Sequence, residues 1–208
     1  NASFLDTIIG DYKTLAEEEI LKYLKMLKNG ISKCYNLSEE LLLWARGQLK
    51  NTVCKPSALD TNIEITKVID NLKQVAEEKQ ITIETDLCNA CKTYADPDMF
   101  AIVLRNFISN AIKFSNRQSK IIVSTAVMHQ TLKISVKDSG VGITKEMADK
   151  LMLKLNYEPS YGTNGEKGAG LGLIIAKDYV ERNNGEMYIE SEEGKGSIFS
   201  FTLRFVKK

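Results

Sequence analysis

The run Asn106-Phe-Ile-Ser-Asn110-Ala-Ile-Lys113-Phe114 decides how the second half of this chain folds. Its apolar residues recur at helical spacing, and the pattern predicts a helix from Asp98 to Phe114. Steps of four and three residues place Asn106, Asn110 and Lys113 on one side of this helix. Because the residues between them are strongly apolar, we expect these three polar side chains to line a cavity.

The polar side of this helix suits a nucleotide phosphate with a bound metal ion. The amide oxygens of Asn106 and Asn110 are hard ligands that Mg²⁺ accepts, and phosphates and water can complete the coordination. Lys113 would place a positive charge near the phosphates. Two asparagines on a helix are equally compatible with an ordinary polar surface, so this run alone does not establish a nucleotide site.

A second motif, Asp138-Ser-Gly140-Val-Gly142, directly follows the strand predicted from Thr131 to Lys137. A carboxylate at the end of a strand can accept a hydrogen bond from the exocyclic amine of adenine, whereas guanine presents a carbonyl there. Gly140 and Gly142 would let the backbone approach a ligand without a Cβ. Glycine after aspartate is also ordinary turn chemistry, so this motif is weak by itself.

Two further glycine motifs lie closer to the end of the chain. Gly168-Ala-Gly170-Leu171-Gly172 opens the helix predicted from Leu171 to Arg182, and amide groups at a helix N-terminus bind anions. A polar loop precedes this motif, whereas a dinucleotide fingerprint requires a strand there, so a Rossmann site is excluded. Gly194-Lys-Gly196-Ser197 is compatible with a plain turn between two strands.

The remaining pattern predicts an α+β fold of helices and mostly antiparallel strands, with one face of the sheet covered. The predicted helices are Asn62–Glu78, Asp98–Phe114, Lys145–Leu155 and Leu171–Arg182. The predicted strands are Ile81–Leu87, Lys92–Ala95, Ile121–Val127, Thr131–Lys137, Glu186–Ser191 and Ser197–Phe205. The segment from Cys54 to Leu59, which contains Pro56, breaks the helical pattern. It predicts a boundary between a domain of residues 1–53 and a domain of residues 54–208.

The first 53 residues predict an antiparallel helical hairpin. Apolar residues from Leu24 to Ala45 recur at alternating steps of three and four, which is a near-heptad seam. Such a hairpin cannot cover its own seam, so we expect two chains to form a four-helix bundle and the protein to be a homodimer. The acidic stretch from Ala16 to Glu19 either separates the helices or begins the second one.

The composition excludes several classes of partner. The formal net charge is +1 and the pI about 7.8, so the charge gives no reason to expect nucleic acid or an anionic membrane as a partner. No apolar run reaches the ~18–20 residues of a membrane span, and we expect no membrane contact by this part of the protein. Cys88-Asn-Ala-Cys91 lacks further zinc ligands, and we interpret the four cysteines as thiols in a reducing cytosol.

Taken together and in this order, the four motifs resemble the histidine-kinase branch of the ATPase superfamily shared with gyrase, mismatch-repair proteins and the heat-shock chaperone. The resemblance covers about Asp60 to Phe205 and implies a Bergerat-type α/β sandwich that binds ATP and Mg²⁺. It implies that Asn110 ligates magnesium and that Asn106 and Lys113 lie near the phosphates. The other residues implied to contact the nucleotide are Phe114, Asp138, Gly140, Gly142, Lys167, Gly168, Gly170, Leu171, Gly172 and Ser197.

The resemblance also implies a role for the whole protein. A sensor histidine kinase of a two-component system transfers the γ-phosphoryl group of ATP to a histidine, for relay to a response-regulator receiver domain. The hairpin resembles the dimerisation and phosphoacceptor module of such kinases, and Ile143 to Gly168 resembles their mobile lid. We therefore expect the cytoplasmic catalytic region of a membrane-anchored sensor, with a second copy and a response regulator as partners.

The chain departs from the family pattern at the phosphoacceptor. Its single histidine, His129, lies in a predicted turn, and we expect the acceptor motif to precede residue 1. The alternative is a pseudokinase that only binds nucleotide and dimerises. In the lid, leucine and methionine replace the usual Phe-containing box, and Ala169 stands where threonine is common. Hydrolytic relatives carry a glutamate where this chain has Asn106, and an amide cannot take a proton, which favours a kinase over a hydrolytic ATPase.

Overall fold

The computed structural model describes residues 16–28, 30–31, 53–89, 91–152, 162–163 and 171–206. The chain divides into two compact units, Asn1–Ala45 and Arg46–Lys208. In the first unit, residues 17–28 are helical, so the acidic stretch begins a helix, which is one of the two expected arrangements. The predicted seam from Cys34 to Ala45 lies outside the described residues. The hairpin and the boundary after residue 53 stay predictions.

The second unit contains every helix and strand that the sequence predicts for it, within a few residues of the expected bounds. In chain order its elements are β1 (Ser57–Asp60), α1 (Thr61–Glu78), β2 (Thr82–Asp86), β3 (Lys92–Ala95), α2 (Pro97–Phe114), β4 (Lys120–Met128), β5 (Thr131–Lys137), α3 (Lys145–Met152), α4 (Gly172–Arg182), β6 (Met187–Glu192) and β7 (Gly196–Val206).

The strands form one sheet in the order β1-β3-β7-β5-β4-β2, and β6 also pairs with β7. Strands β2 and β4 are parallel neighbours, whereas the other pairs are antiparallel. Helices flank this sheet, so the predicted α+β class is confirmed. The β4–β5 hairpin has no Asn-Gly turn, and His129 takes the left-handed conformation there, with φ at 56°.

The segment from Cys54 to Leu59, which breaks the helical pattern, contains one strand that the sequence did not predict. Ser57–Asp60 forms strand β1, which pairs with β3 and buries Leu59. The strand Ser57-Ala-Leu-Asp60 contains a single large apolar residue, and its partner strand lies far along the chain. Only the tertiary structure brings the two strands together.

The core forms where α2 packs against β7. Phe107 lies 5.6 Å from Phe199 and 5.7 Å from Phe201 between ring centroids, and Phe100 lies 5.9 Å from Phe201. The rings meet tilted or edge to face, which is the favoured geometry for aromatic pairs. Because this face of α2 is buried, the helix is held with its polar side toward the edge of the core.

Hydrogen bonds also fix the start of α2. Asp96 is its N-cap, and Oδ1 of Asp96 accepts from the amide groups of Asp98 and Met99 at 3.0 and 3.1 Å. Its Oδ2 accepts from Lys55 N at 2.8 Å, and Asn183 Oδ1 accepts from Asp96 N at 2.7 Å. The segment before β1 and the end of α4 are thereby tied to the same turn of α2.

The structure joins Cys88 and Cys91 in a disulfide between β2 and β3, with their Cα atoms 6.0 Å apart. The interpretation of these two residues as free thiols was therefore wrong, whereas Cys54 is free. The path of the chain from β2 to β3 brings the two Cα atoms within the range of a disulfide. Cysteine spacing alone does not reveal that path.

Candidate functional site

The polar side of α2 is where the sequence predicts it. Asn106, Asn110, Lys113 and Phe114 are half-buried, whereas the apolar residues between them are buried. The Lys113 ammonium lies 4.7 Å from the centroid of the Phe114 ring, which is the distance of a cation–π contact. One edge of the helix thus presents two amide groups, one ammonium group and an aromatic ring to the same side.

Asp138 is held in the interior at the end of β5, with 5% of its surface exposed. Its Oδ1 accepts hydrogen bonds from Gly140 N at 2.8 Å and from Ser197 N at 3.3 Å. Burial raises the pKa of this carboxyl above its ordinary value, and the two hydrogen bonds oppose that rise. Both of these hydrogen bonds use Oδ1.

The loop of residues 138–142, here called the DxGxG loop, contacts the end of α2. Val141 N donates to Phe114 O at 3.2 Å. A Cβ at Gly140 would overlap the same carbonyl oxygen, so glycine is required for this approach. The sequence predicted that these glycines free space for a ligand, whereas the structure shows that Gly140 frees space for α2.

The turn between β6 and β7 contacts the other side of the DxGxG loop. Asp138 N donates to Ser197 O at 2.9 Å, and Gly194 N donates to Val141 O at 2.7 Å. A Cβ at Gly196 would overlap the carbonyl oxygen of Asp138, and one at Gly142 would overlap that of Glu192. The second and fourth motifs therefore form one cluster around Asp138.

Ser191 belongs to this cluster, although sequence analysis missed it. Its Oγ accepts from Ile143 N at 2.9 Å, lies 3.0 Å from Gly196 O and lies 2.9 Å from Ser197 Oγ. A single serine at the end of a predicted strand gives no local signal of such a role. Its partners become visible only when β6 and β7 are paired.

The last glycine of the third motif, Gly172, lies next to α2. Helix α4 begins at Gly172, and a Cβ there would lie 2.8 Å from Asn106 Oδ1. Leu171 is the N-cap and makes no side-chain hydrogen bond to the first turn. Amide groups at the start of a helix can bind an anion. Lys167, Gly168 and Gly170 lie outside the described residues, so their predicted phosphate contacts stay predictions.

Most of the predicted lid, Ile143 to Gly168, also lies outside the described residues. Within it, α3 ends at Met152, and the carbonyl oxygen of Met152 accepts from Lys177 Nζ on α4. Thr163 was missed by sequence analysis: its Oγ1 donates to Ser115 O at 2.8 Å and lies 3.2 Å from Lys113 O. A residue of the predicted lid is thereby bonded to the end of α2.

The side chains fit a magnesium ion that is held mainly by a nucleotide. The described part of the chain has no cluster of three or more His, Cys, Asp or Glu side chains that could hold a metal ion. Asn110 offers a single hard amide oxygen, half-exposed beside Lys113. Mg²⁺ is often bound through few protein ligands, with phosphates and water supplying the others, and this donor set agrees with that chemistry.

Comparison with known proteins agrees with this arrangement. Residues 95–207 match the model of the family described as "Histidine kinase-, DNA gyrase B-, and HSP90-like ATPase". The chain belongs to this family. The match spans α2, the DxGxG loop and the β6–β7 turn, which together make a catalytic ATP-binding domain of the histidine-kinase type.

Relatives of this ATPase domain are sensor kinases. Sporulation kinase E of Bacillus subtilis is 29% identical over 193 residues, which cover 92% of this chain and 25% of the relative. The chain thus spans about a quarter of that protein. The histidine kinase AdeS of Acinetobacter baumannii has a similar fold, with a TM-score of 0.74 and 22% identity, covering 98% of this chain and 92% of that one.

A second solved structure is the complex of histidine kinase ThkA with response regulator protein TrrA. Its TM-score is 0.69 at 21% identity, and the match covers 95% of this chain and 57% of that one. Because their sequence identities to this chain are only 22% and 21%, these two structures show that the fold is similar and nothing more. Within the described ranges, no helix is both long enough and apolar enough to cross a membrane.

Proposed function

We propose that this domain binds ATP with magnesium and transfers the γ-phosphoryl group to a histidine that lies outside residues 1–208. The geometry of Asp138 gives this proposal its main support. Two backbone amides hold Oδ1 of its buried carboxylate, and Oδ2 would accept from the exocyclic amine of adenine. Guanine would place a carbonyl oxygen against the same carboxylate, so the site would reject it.

Charge neutralisation and positioning are most of what phosphoryl transfer requires. Asn110 would ligate the magnesium, which neutralises charge on the phosphates when it is bound. Lys113 and Lys167 would add positive charge, and the amide groups of Gly168 and Gly170 would bind phosphate oxygens. Phe114 would form part of the wall of the nucleotide site. Leu171 and Gly172 lie at the start of α4, whose N-terminal amide groups would bind the same phosphates.

Asn106 supports a kinase and opposes a hydrolytic ATPase. Its amide cannot accept a proton from water, so the domain has no general base at this position. The phosphoryl group therefore needs a nucleophile from elsewhere, and a histidine of a sensor kinase's helical module supplies one.

The partners follow from the same proposal. A receiver domain of a response regulator would take the phosphoryl group, and the solved complex of ThkA with TrrA is a precedent in a protein of this fold. The first unit would make a homodimer, because its helix exposes Leu21, Leu24 and Ile31. We place this region in the cytoplasm, where ATP and receiver domains are found.

Incubation with ATP labelled on the γ-phosphate tests the proposed reaction. The protein is extended upstream in its own reading frame by about twenty residues, the distance over which we expect the acceptor. We expect label on the protein that is lost in acid and retained in alkali, as for phosphohistidine. Release of labelled phosphate without labelled protein would favour the hydrolytic alternative, and binding without either product would favour the pseudokinase.

Two variants test whether the reaction depends on the site around Asp138. Asp138→Asn should weaken binding of an ATP analogue about ten- to a hundred-fold, because an amide nitrogen would face the amine of adenine. It should also reduce the preference for ATP over GTP, and an unchanged preference would contradict the role of Asp138. His129→Asn is the control for the acceptor: residue 129 is exposed in the β4–β5 turn, and we expect full labelling.

A further inference from the structure

Lys79 is a buried cation that none of the nucleotide motifs contains. It directly follows α1, and only 5% of its surface is exposed. The end of that helix fixes its position, because Lys79 N donates to Ala76 O at 3.1 Å and Ile81 N donates to the same oxygen at 2.8 Å. Lysine is rarely buried unless its ammonium group has partners. The partners of Lys79 therefore indicate its role.

The ammonium group of Lys79 binds the last turn of α2. Its Nζ donates to the carbonyl oxygens of Ile112 and Lys113, each at 2.8 Å. The last four carbonyl groups of a helix have no partner within the helix, and they carry the negative end of its dipole. Lys79 satisfies two of these carbonyls and places a positive charge beside them.

Other parts of the nucleotide site meet the same turn of α2. Lys113 O lies 3.2 Å from both the backbone nitrogen and Oγ1 of Thr163, in the predicted lid. Phe114 O accepts from Val141 N of the DxGxG loop. Asn110 lies one helical turn earlier on α2. A shift of this turn would therefore displace the metal ligand, the phosphate lysine and the DxGxG loop together.

We propose that Lys79 is a positioning residue of the nucleotide site. It holds the last turn of α2 so that Asn110 and Lys113 face the phosphates, and it acts through the backbone without touching the nucleotide. This inference rests on the proposed function, in which those two side chains bind magnesium and phosphate. A lysine that served stability alone would alter the free energy of unfolding and leave the phosphate affinity of the folded protein unchanged.

Two methionine variants separate these roles. Lys79→Met keeps the length of the side chain and removes the ammonium group. Lys73→Met is the matched control, because Lys73 is exposed on the same helix and loses the same charge. Calorimetric titration gives the affinities of each folded protein for a non-hydrolysable ATP analogue with magnesium and for adenosine. Near-ultraviolet circular dichroism establishes that each variant is folded at the temperature used.

We expect Lys79→Met to bind the ATP analogue about ten-fold more weakly than Lys73→Met. Adenosine lacks the phosphates, so its affinity should fall by less than about three-fold. Equal affinity of the two variants for the analogue overturns the proposal. An equal loss for adenosine and the analogue also overturns it, because that result indicates a general distortion of the site.

Failure of the wild-type protein to bind the analogue overturns the proposed function, and this inference with it, before any variant is compared. Should Lys79→Met not fold, Lys79→Gln replaces it, since glutamine keeps an amide donor but is neutral and shorter. We expect about three-fold weaker binding of the analogue by Lys79→Gln. The side-chain amide resonance of Asn110 should shift in the same variant. Wild-type affinity with an unshifted resonance overturns the proposal.

Discussion

Asp138 illustrates how a single carboxyl group is tuned by what surrounds it. Burial disfavours its charged form and raises its pKa, whereas the amides of Gly140 and Ser197 favour the charged form and oppose that rise. The burial effect is the larger one, so the carboxyl of the free protein stays protonated to a higher pH than an ordinary aspartate. The same group must be ionised for both of its oxygens to accept hydrogen bonds.

Two pH dependences of opposite sign follow for Asp138. A raised pKa means that the folded state binds the proton more tightly than the unfolded state. The free energy of unfolding should therefore fall as pH rises from the ordinary aspartate range through the pKa of the folded protein. Affinity for an ATP analogue should rise over the same range, because the amine of adenine needs the ionised carboxylate.

Denaturant unfolding and calorimetric binding, measured over a common series of pH values, check both effects. Asp138→Asn is the control, since its amide does not titrate and the protonation of the nucleotide is common to both proteins. The difference between wild type and variant should thus isolate the carboxyl. A wild-type stability that rises with pH relative to the variant would contradict the raised pKa.

At the scale of elements, the β6–β7 turn supports the DxGxG loop through close backbone contact. Gly194 and Gly196 both have positive φ, at 79° and 97°. They differ in their surroundings: a Cβ at Gly194 meets nothing within 4 Å, whereas one at Gly196 would overlap the carbonyl of Asp138 and lie 2.8 Å from Ser139 Cα. At Gly194 the lack of a side chain serves only the conformation of the turn, whereas at Gly196 it also permits the close approach to residue 138.

Alanine substitutions at these two glycines separate backbone strain from lost contact. Gly194→Ala should lower the free energy of unfolding by about 1–2 kcal/mol, the cost of a left-handed conformation for alanine. Gly196→Ala should lower it by about 3 kcal/mol or more, because β7 must also move away from residue 138. Urea denaturation measures both values. Equal losses would show that the contact at Gly196 has no importance for stability.

At the scale of the whole molecule, the described helix of the first unit carries exposed apolar side chains. Its helix exposes 52% of Leu21, 51% of Leu24 and 68% of Ile31, which are unusually large apolar surfaces for neighbouring turns. Leu24 and Ile31 belong to the near-heptad seam that the sequence predicts. Burial of this seam against a second copy would remove the apolar surface from water.

We therefore expect residues 1–208 to form a dimer, and Leu24→Glu to favour the monomer. Each substitution occurs twice in a two-fold interface. The dissociation constant of the variant dimer should therefore be at least about ten-fold higher than that of the wild-type dimer. Sedimentation velocity over a concentration series measures this difference. Lys25→Glu is the control, because Lys25 is exposed on the same helix outside the seam. A wild-type protein that sediments as a monomer would contradict the bundle.

The sequence by itself determined those features that depend on local periodicity. The apolar spacing of α2 placed Asn106, Asn110 and Lys113 on its half-exposed side, and short-range alternation predicted six of the seven strands. The four motifs, in their order, were enough to assign the family that residues 95–207 match. Such features follow from residues within about two helical turns of one another, so no knowledge of the fold was needed.

Only the tertiary structure decided which distant residues meet. It joined Asn106 to Gly172 and Asp138 to Gly196, and it showed that Gly140 makes room for the carbonyl of Phe114. Strand β1, the Cys88–Cys91 bridge and the capping of α2 by Lys79 likewise depend on partners far along the chain or on the path between them. A side chain's partners across the core leave no periodic signal in sequence, since any residue of suitable size and polarity can occupy such a position.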